Sequence, residues 1–293
     1  IMEIKRKHIN NFDIKVPSKS AFAIDTPPDI PKMHSLIILS GKRGGGKSVA
    51  ITNFVKKLLD NDLMDRVVLL SPTYYSNKET YAPLKIKEND IIEPSKGSIK
   101  LLIGLVEAEK AEWDEFLERK KLYKQFKNDM EGHVPIQNIH PELMLQYHNN
   151  EFFQHPPTWK YKKEVPPRVF IIIDDSMGTD LMKPSSGLLN FIIKHRHIGE
   201  GLGVSVAMLV QSYACHGGLQ RAIRENTCLL GLFKATDENQ VKKIIQEMGD
   251  VDEDRFRTMF EYATSKPFGF LLIDFNPKDE SKKFRANFNE YLY

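Results

Sequence analysis

A glycine-rich turn between two apolar segments contains the first residues whose types and spacing could do chemistry. Residues 36–48 read LIILSGKRGGGKS, which matches the phosphate-binding pattern G-x-x-x-x-G-K-[ST] at every fixed position. Glycines allow consecutive backbone N–H groups to turn inward around an anion. Lys47 is expected to reach the β- and γ-phosphates of ATP, and the Ser48 hydroxyl to bind Mg²⁺. The predicted nucleotide-binding residues are Gly41, Lys42, Arg43, Gly44, Gly45, Gly46, Lys47, Ser48 and Val49.

The segments on either side of this loop argue against a chance match to the pattern. Four apolar residues, 36–39, precede the loop as a short buried strand would. An amphipathic helix pattern follows it, with apolar residues at Val49, Ile51, Phe54, Val55, Leu58 and Leu59. A strand before the loop and a helix after it are the context in which this motif binds phosphate.

Two acidic residues end a later apolar segment. Residues 169–173 form a buried-strand pattern, and Asp174 and Asp175 follow at once, which is the Walker B pattern. Asp174 is expected to hold Mg²⁺, directly or through water. Asp175 stands where many ATPases have a glutamate that orients and deprotonates the attacking water, although an aspartate reaches one methylene less far. The alternative is a strand that simply ends in an Asp-Asp-Ser turn.

A glutamine closes another apolar segment. Residues 203–210 read GVSVAMLV, and Gln211 follows them. A polar side chain at the tip of the strand beside the Walker B strand can sense the γ-phosphate or position water. The alternative, that Gln211 begins an ordinary loop, is equally consistent with this segment taken alone.

These side chains require a sheet whose strand ends meet at one edge. Short apolar runs at 66–71, 228–233 and 269–273 predict further strands, and helical patterns near 187–197, 237–248 and 252–263 alternate with them. Such alternation predicts an α/β fold with a central, mostly parallel sheet flanked by helices. Ligands bind at the carboxyl edge of such sheets, and residues 71–74 also leave the sheet there.

The remaining segments suggest the domain organisation. Residues 1–33, with a proline cluster before the first strand, are interpreted as an N-terminal arm, and 34–293 as one domain with a long, partly helical insertion at about 72–168. Basic residues on the inserted helix could touch nucleic acid, but a solvated helix face is the favoured interpretation. Four histidines recur there at spacings that disfavour a zinc site. The basic residues are Arg119, Lys120, Lys121, Lys124 and Lys127, and the histidines are His133, His140, His148 and His155.

Composition narrows the class of protein. The net charge of +3 is too small to establish a polyanionic partner. The two cysteines, Cys215 and Cys228, do not form a C-x-x-C pair, which disfavours a disulfide framework and suits a reducing compartment. We find neither a membrane span nor a signal-peptide core in the sequence. An intracellular soluble protein with no membrane partner is therefore expected.

Three segments together resemble the FtsK–HerA superfamily, specifically the genome-packaging ATPases of poxvirus-like large DNA viruses and virophages. They are LLSPTYYSN at 69–77, IIIDDSMG at 171–178, and HRHIGEGLGVSVAMLVQSY at 195–213 with IRENT after it. The resemblance covers about residues 34–275 and implies a RecA-like P-loop NTPase of the ASCE type. It also implies a ring, a pentamer or hexamer, that hydrolyses ATP to thread double-stranded DNA into a capsid.

The resemblance also assigns roles to residues. Gln211 becomes the polar sensor, and Arg196 falls where relatives place an arginine finger that reaches a neighbouring subunit's nucleotide. Arg221 and Arg224 are weaker candidates for that finger, and a cation at a helix C-terminus is the alternative role of Arg196. The predicted catalytic residues are Lys47, Asp175, Gln211 and Arg196, and the predicted metal-binding residues are Ser48 and Asp174.

Two other functions stay open at this point. One is a helicase- or conjugation-type DNA motor of the same superfamily. The other is an assembly or scaffold protein that binds nucleotide but hydrolyses little of it. If the chain is viral, the expected location is the host cytoplasm or virus factory, and the virion, with capsid or portal proteins as partners.

Overall fold

The structure, a computed structural model, describes residues 22–132, 135–214, 219–234, 238–249 and 251–293. Most of the predicted N-terminal arm lies outside these ranges, as do His133, Cys215 and Asp237. Within them, none of the helices combines the length and the apolar composition needed to cross a membrane.

One nine-stranded sheet runs through the described part of the chain, in the order β3-β2-β4-β5-β1-β6-β7-β8-β9. Strands β3 to β6 pair in parallel, and β6 to β9 pair antiparallel. The predicted central, mostly parallel sheet is confirmed. The strands are β1 (Leu36–Ser40), β2 (Arg66–Leu70), β3 (Ile91–Ile92), β4 (Val169–Asp174), β5 (Val204–Val210), β6 (Leu229–Phe233), β7 (Phe270–Asp274), β8 (Phe284–Ala286) and β9 (Glu290–Leu292).

Helices cover the sheet and give it a buried centre. The four central strands, β1, β4, β5 and β6, are buried along their whole length, as strands covered on both faces must be. The helices are α1 (Lys47–Asp60), α2 (Lys78–Tyr81), α3 (Ser98–Glu131), α4 (Pro141–Asn149), α5 (Leu188–Lys194), α6 (Arg221–Glu225), α7 (Glu238–Met248) and α8 (Glu253–Ala263).

Two predicted helices differ from the observed ones in detail. Helix α1 buries Ile51, Val55 and Leu58, as its pattern predicts, but Val49 is 53% exposed and lies outside the core. The helix predicted near 187–197 ends at Lys194, so Arg196 lies in the turn that follows α5 rather than within the helix.

The insertion is built around one long helix. Helix α3 has 34 residues, and its first half packs on the main core through Leu102 and Val106. Its far end carries Phe126, which joins Tyr147 of α4 and Phe152 in a second, smaller apolar cluster. The apolar stripe of this helix is therefore packing surface, as expected.

Two short strands at the end of the chain were not predicted. Strands β8 and β9 have three residues each and extend the sheet antiparallel beyond β7. Arg285 is buried in β8 and donates to the backbone oxygen of Asp29 at 2.7 Å. Since Tyr291 also donates to the Asp29 carboxylate, at 3.0 Å, the lead-in to β1 is fastened to these strands.

Candidate functional site

The predicted phosphate loop, acidic pair and glutamine meet at one edge of the sheet. They follow the carboxyl ends of β1, β4 and β5, which are neighbours in the order β4-β5-β1. Together they line a cavity of about 660 Å³, within the size range of small-molecule sites. Ligands are expected at this edge of a parallel sheet.

Two glycines determine the shape of the phosphate loop. Gly46 caps the N-terminus of α1 with a φ of +95°, a conformation that side chains disfavour. Gly41 passes so close to Phe233 that a Cβ at this position would lie 2.5 Å from the Cβ of that residue. The loop therefore requires glycine at both fixed glycine positions of the motif.

Lys47 is folded back onto the loop that it follows. It is 9% exposed, and its Nζ donates to the backbone oxygens of Gly41 at 2.8 Å and Lys42 at 2.9 Å. Burial lowers the pKa of Lys47, while the nearby carboxylates of Asp174 and Asp175 oppose that shift. A charged ammonium with only carbonyl partners is well placed to exchange them for phosphate oxygens.

The two predicted metal-binding residues touch each other across the site. The Ser48 hydroxyl donates to Oδ2 of Asp174 at 2.9 Å, although 126 residues separate them in the chain. Asp174 is 6% exposed. A hydroxyl and a carboxylate are the hard oxygen ligands that Mg²⁺ prefers, and this ion commonly completes its shell with substrate phosphates and water. These two residues therefore fit Mg²⁺.

Asp175 and Gln211 also line the cavity. Asp175 has a φ of +50°, a left-handed conformation that aspartate tolerates better than most residues. This turn separates it from its neighbour Asp174, which stays buried. Gln211 is exposed at the end of β5, and the backbone oxygen of Val210 before it accepts a hydrogen bond from Gly41 at 3.1 Å. That bond ties the glutamine-bearing strand end to the phosphate loop.

Neither a protein family model nor a curated protein matches the chain. Solved structures do match it. The genome packaging NTPase B204 from Sulfolobus turreted icosahedral virus 2 has a TM-score of 0.46 and 12% identity, over 86% of this chain and 95% of that one. The pCW3 conjugation coupling protein TcpA has a TM-score of 0.47 and 13% identity, over 88% of this chain and 60% of that one. EssC from Geobacillus thermodenitrificans has a TM-score of 0.45 and 12% identity, over 86% of this chain and 39% of that one.

The chain thus spans 60% of the TcpA chain and 39% of the EssC chain. These structures are of the kind that the sequence resemblance led us to expect. Likeness at such identity concerns the fold alone. The structure itself shows an α/β fold, a mostly parallel sheet with the glycine-rich loop between β1 and α1.

The predicted arginine finger, Arg196, does not line this cavity. It is exposed at the other edge of the sheet, beside Ser35 and Leu229, where β1 and β6 begin. Its guanidinium donates to Sγ of Cys228 at 2.9 Å. The two weaker candidates are engaged in ion pairs: Arg221 pairs with Glu225, and Arg224 with Glu247.

Several residues of the site escaped the sequence analysis. Tyr81 donates a hydrogen bond to Oδ2 of Asp174 from α2. The segment that leads to α2 contributes two polar residues to the cavity wall, α2 itself contributes one, and the far end of the chain contributes two more residues. These are Thr73, Asn77, Thr80, Phe268 and Asn287. The departure of residues 71–74 from the carboxyl edge of the sheet was the only sequence signal that pointed to any of them.

Proposed function

We propose that this protein is a Mg²⁺-dependent ATPase that translocates double-stranded DNA, and that it packages a viral genome. The hydrogen bond between Ser48 and Asp174 is the observation that carries the proposal. It brings the phosphate loop and the Walker B acid together beside the same cavity. Lys47, Asp175 and Gln211 are on or beside that cavity, so every part that hydrolysis of a phosphoanhydride needs from one subunit is present.

Each residue has a distinct task in this proposal. The N–H groups of the loop from Gly44 to Ser48 bind the β-phosphate, and Lys47 leaves its two carbonyl partners for phosphate oxygens. Ser48 and Asp174 would hold Mg²⁺, which would neutralise phosphate charge when bound. Asp175 and Gln211 act on the attacking water.

Asp175 accepts a proton from the attacking water, and Gln211 orients this water. The aspartate is the shorter of the two acids found in this role, so the water must sit close to the strand end. The left-handed turn at Asp175 turns the backbone away from the buried position of Asp174. The geometry is therefore compatible with a general base at this position.

The sequence resemblance supports a DNA-packaging motor over other ATPases. The three matching segments include Walker B, the strand ending in Gln211, and the turn that carries Arg196. In a ring of five or six subunits, Arg196 would act on the nucleotide of the neighbouring subunit. Its exposure at the sheet edge opposite its own cavity suits a role between subunits. Capsid or portal proteins would be the further partners.

Displacement of a third strand from long double-stranded DNA tests translocation directly. The account predicts ATP-dependent displacement by the wild type and none by Lys47→Ala. Displacement without packaging into capsids, or unwinding of forked DNA, would favour the conjugation- or helicase-type motor instead. ATP-dependent assembly without displacement would contradict the motor and favour a scaffold.

A further inference from the structure

The cavity beside the phosphate loop is lined by apolar residues as well as by charged ones. Phe268 lies in its wall and is 69% exposed. The residue also packs on the loop itself, because a Cβ at Gly46 would lie 3.0 Å from the Cβ of Phe268. An exposed aromatic ring is thus held directly beside the loop that is expected to bind phosphates.

The backbone holds Phe268 in a costly conformation. Its φ is +63°, which is a genuine outlier for a bulky residue. The residue occupies the third position of a turn that Lys266 opens, with Pro267 before it, and the N–H of Gly269 donates to the Lys266 oxygen at 3.1 Å. Glycine or asparagine normally fills such a position. Backbone strain of this kind persists where the surrounding structure enforces it and clusters at ligand sites.

The backbone on the other side of Phe268 is also constrained, by the close approach of Gly269 to α8. A Cβ at Gly269 would lie 2.3 Å from the backbone oxygen of Ala263, so the chain passes too close to α8 for any other residue. With Pro267 and Gly269 both constrained, the ring of Phe268 is presented at the cavity rather than packed into the core.

Val49 provides a second apolar surface in the same cavity. It follows Ser48 in the first turn of α1 and is exposed, although Ile51, Val55 and Leu58 of the same helix are buried. Asn53 and Asn287 line the same cavity and carry side-chain amides. This combination of apolar surface and a few polar groups is typical of a site for an uncharged ring system.

We propose that Phe268 and Val49 form the base-binding part of the nucleotide site, with the Phe268 ring stacked on the purine. The proposal rests on the proposed function, because it extends the same cavity from the phosphates to the base. Lys47 and Ser48 fix the triphosphate, which leaves the apolar part of the same cavity wall for the uncharged part of the nucleotide. Stacking on an aromatic side chain stabilises a bound base by about 1–3 kcal/mol.

The alternative is that Phe268 only shapes the phosphate loop through its contact with Gly46. The two roles differ in the ligand that would respond. A base-stacking residue affects ATP but not inorganic tripolyphosphate, which has no base. A residue that shapes the loop affects both ligands alike.

Calorimetric titration of the full chain with ATP and with tripolyphosphate, each with Mg²⁺, separates these roles. We expect Phe268→Ala to weaken ATP binding roughly tenfold or more while tripolyphosphate binding is unchanged. Phe268→Tyr keeps the ring and should bind ATP as the wild type does. Phe153→Ala removes a similarly exposed ring in the insertion and serves as the matched control.

An equal loss of affinity for ATP and for tripolyphosphate in Phe268→Ala would overturn the proposal. So would equal affinity of the wild type for ATP and tripolyphosphate, although the phosphate loop would then still be functional. A wild type that binds neither ligand would overturn the proposed function itself, and the base site with it.

Discussion

The hydroxyl of Tyr81 and the hydroxyl of Ser48 donate to the same carboxylate oxygen, Oδ2 of Asp174. The tyrosine is fully buried, and burial together with the charge of Asp174 raises its pKa well above the usual value. The phenol therefore stays protonated and remains a donor at any working pH. Tyr81 orients the Walker B carboxylate from α2, while Ser48 donates to it from the end of the phosphate loop.

Replacing Tyr81 by phenylalanine should weaken the response of the site to Mg²⁺. Groups that orient a metal-binding carboxylate typically affect metal affinity by about 10–100-fold. We expect the Mg²⁺ concentration for half-maximal ATP hydrolysis to rise about tenfold in Tyr81→Phe. Tyr75→Phe, which alters an exposed tyrosine in the same segment, should leave it unchanged. An unaltered Mg²⁺ curve in a Tyr81→Phe protein of normal thermal stability would contradict this role.

The position of Arg196 leads to a prediction about mixed rings. Strand β1 separates this arginine from the phosphate loop of its own subunit, and five residues of strand span about 16 Å. A catalytic effect of Arg196 must therefore pass to a neighbouring subunit. Adding Arg196→Ala subunits to wild type should reduce ATP hydrolysis by more than their fraction in the mixture. Lys194→Ala, at a neighbouring exposed cation, should only dilute the activity, and a linear response to Arg196→Ala would remove the finger assignment.

A buried carboxylate joins the insertion to the sheet. Oε1 of Glu109 on α3 accepts from Arg66 at 2.7 Å, Tyr161 at 2.8 Å and Lys160 at 2.9 Å, and the residue is 1% exposed. Without Glu109, Arg66 still pairs with Asp90 and Lys160 with Glu112. The half-buried Tyr161 hydroxyl would lose its acceptor, and leaving such a donor unsatisfied costs about 1–3 kcal/mol.

Glu109→Ala should therefore lower the free energy of unfolding in urea by about 1–3 kcal/mol. Glu112→Ala is the matched control, because Glu112 also pairs with Lys160, at 2.6 Å, but is half exposed. Its loss should cost less than about 1 kcal/mol. Similar losses in the two variants would show that burial of the Glu109 network adds nothing to stability.

The stability of the fold should fall in mild acid because of His34. Burial lowers its pKa to about 4, and the positive charges of His195 and Arg196 act in the same direction. Below pH 6.5 His34 binds a proton in the unfolded chain, whereas in the folded chain it binds one only below about pH 4. Stability from this group is therefore complete above pH 6.5 and falls by up to about 3 kcal/mol by pH 4.

Urea unfolding at pH 7 and pH 4.5 measures this effect. His34→Asn keeps a side chain that tolerates the positive φ at this position, and it should lose less stability between the two pH values than the wild type. His197→Asn, at an exposed histidine, should behave as the wild type does. An identical acid sensitivity in His34→Asn would contradict the prediction.

The parts of the fold that could be predicted are those encoded by contiguous residues. Strand β1, its glycine loop and α1 follow one another directly, and continuous apolar runs mark the central strands. Strands β8 and β9 escaped notice because three residues carry too little alternation to be recognised. Val49 belongs to the apolar pattern of α1 yet lies outside the core, because the first turn of this helix faces the cavity, where Val49 was also predicted to bind nucleotide.

The site residues that were missed are those brought in by tertiary structure. Tyr81 reaches Asp174 across 93 residues of sequence, and no spacing rule connects them. Phe268 lies after a proline in an unremarkable loop, and only the fold places its ring against Gly46. The motifs could therefore predict the phosphate and metal part of the site, but not the groups that orient the carboxylate or the apolar part.

Steady-state ATP hydrolysis with and without long double-stranded DNA tests the central claim most directly. The account predicts Mg²⁺-dependent hydrolysis by the wild type that DNA stimulates, and rates at least about 100-fold lower in Lys47→Ala and Asp175→Asn. Hydrolysis that stays negligible whatever DNA is added, in a protein that still binds ATP, would contradict the motor and leave a nucleotide-binding assembly protein.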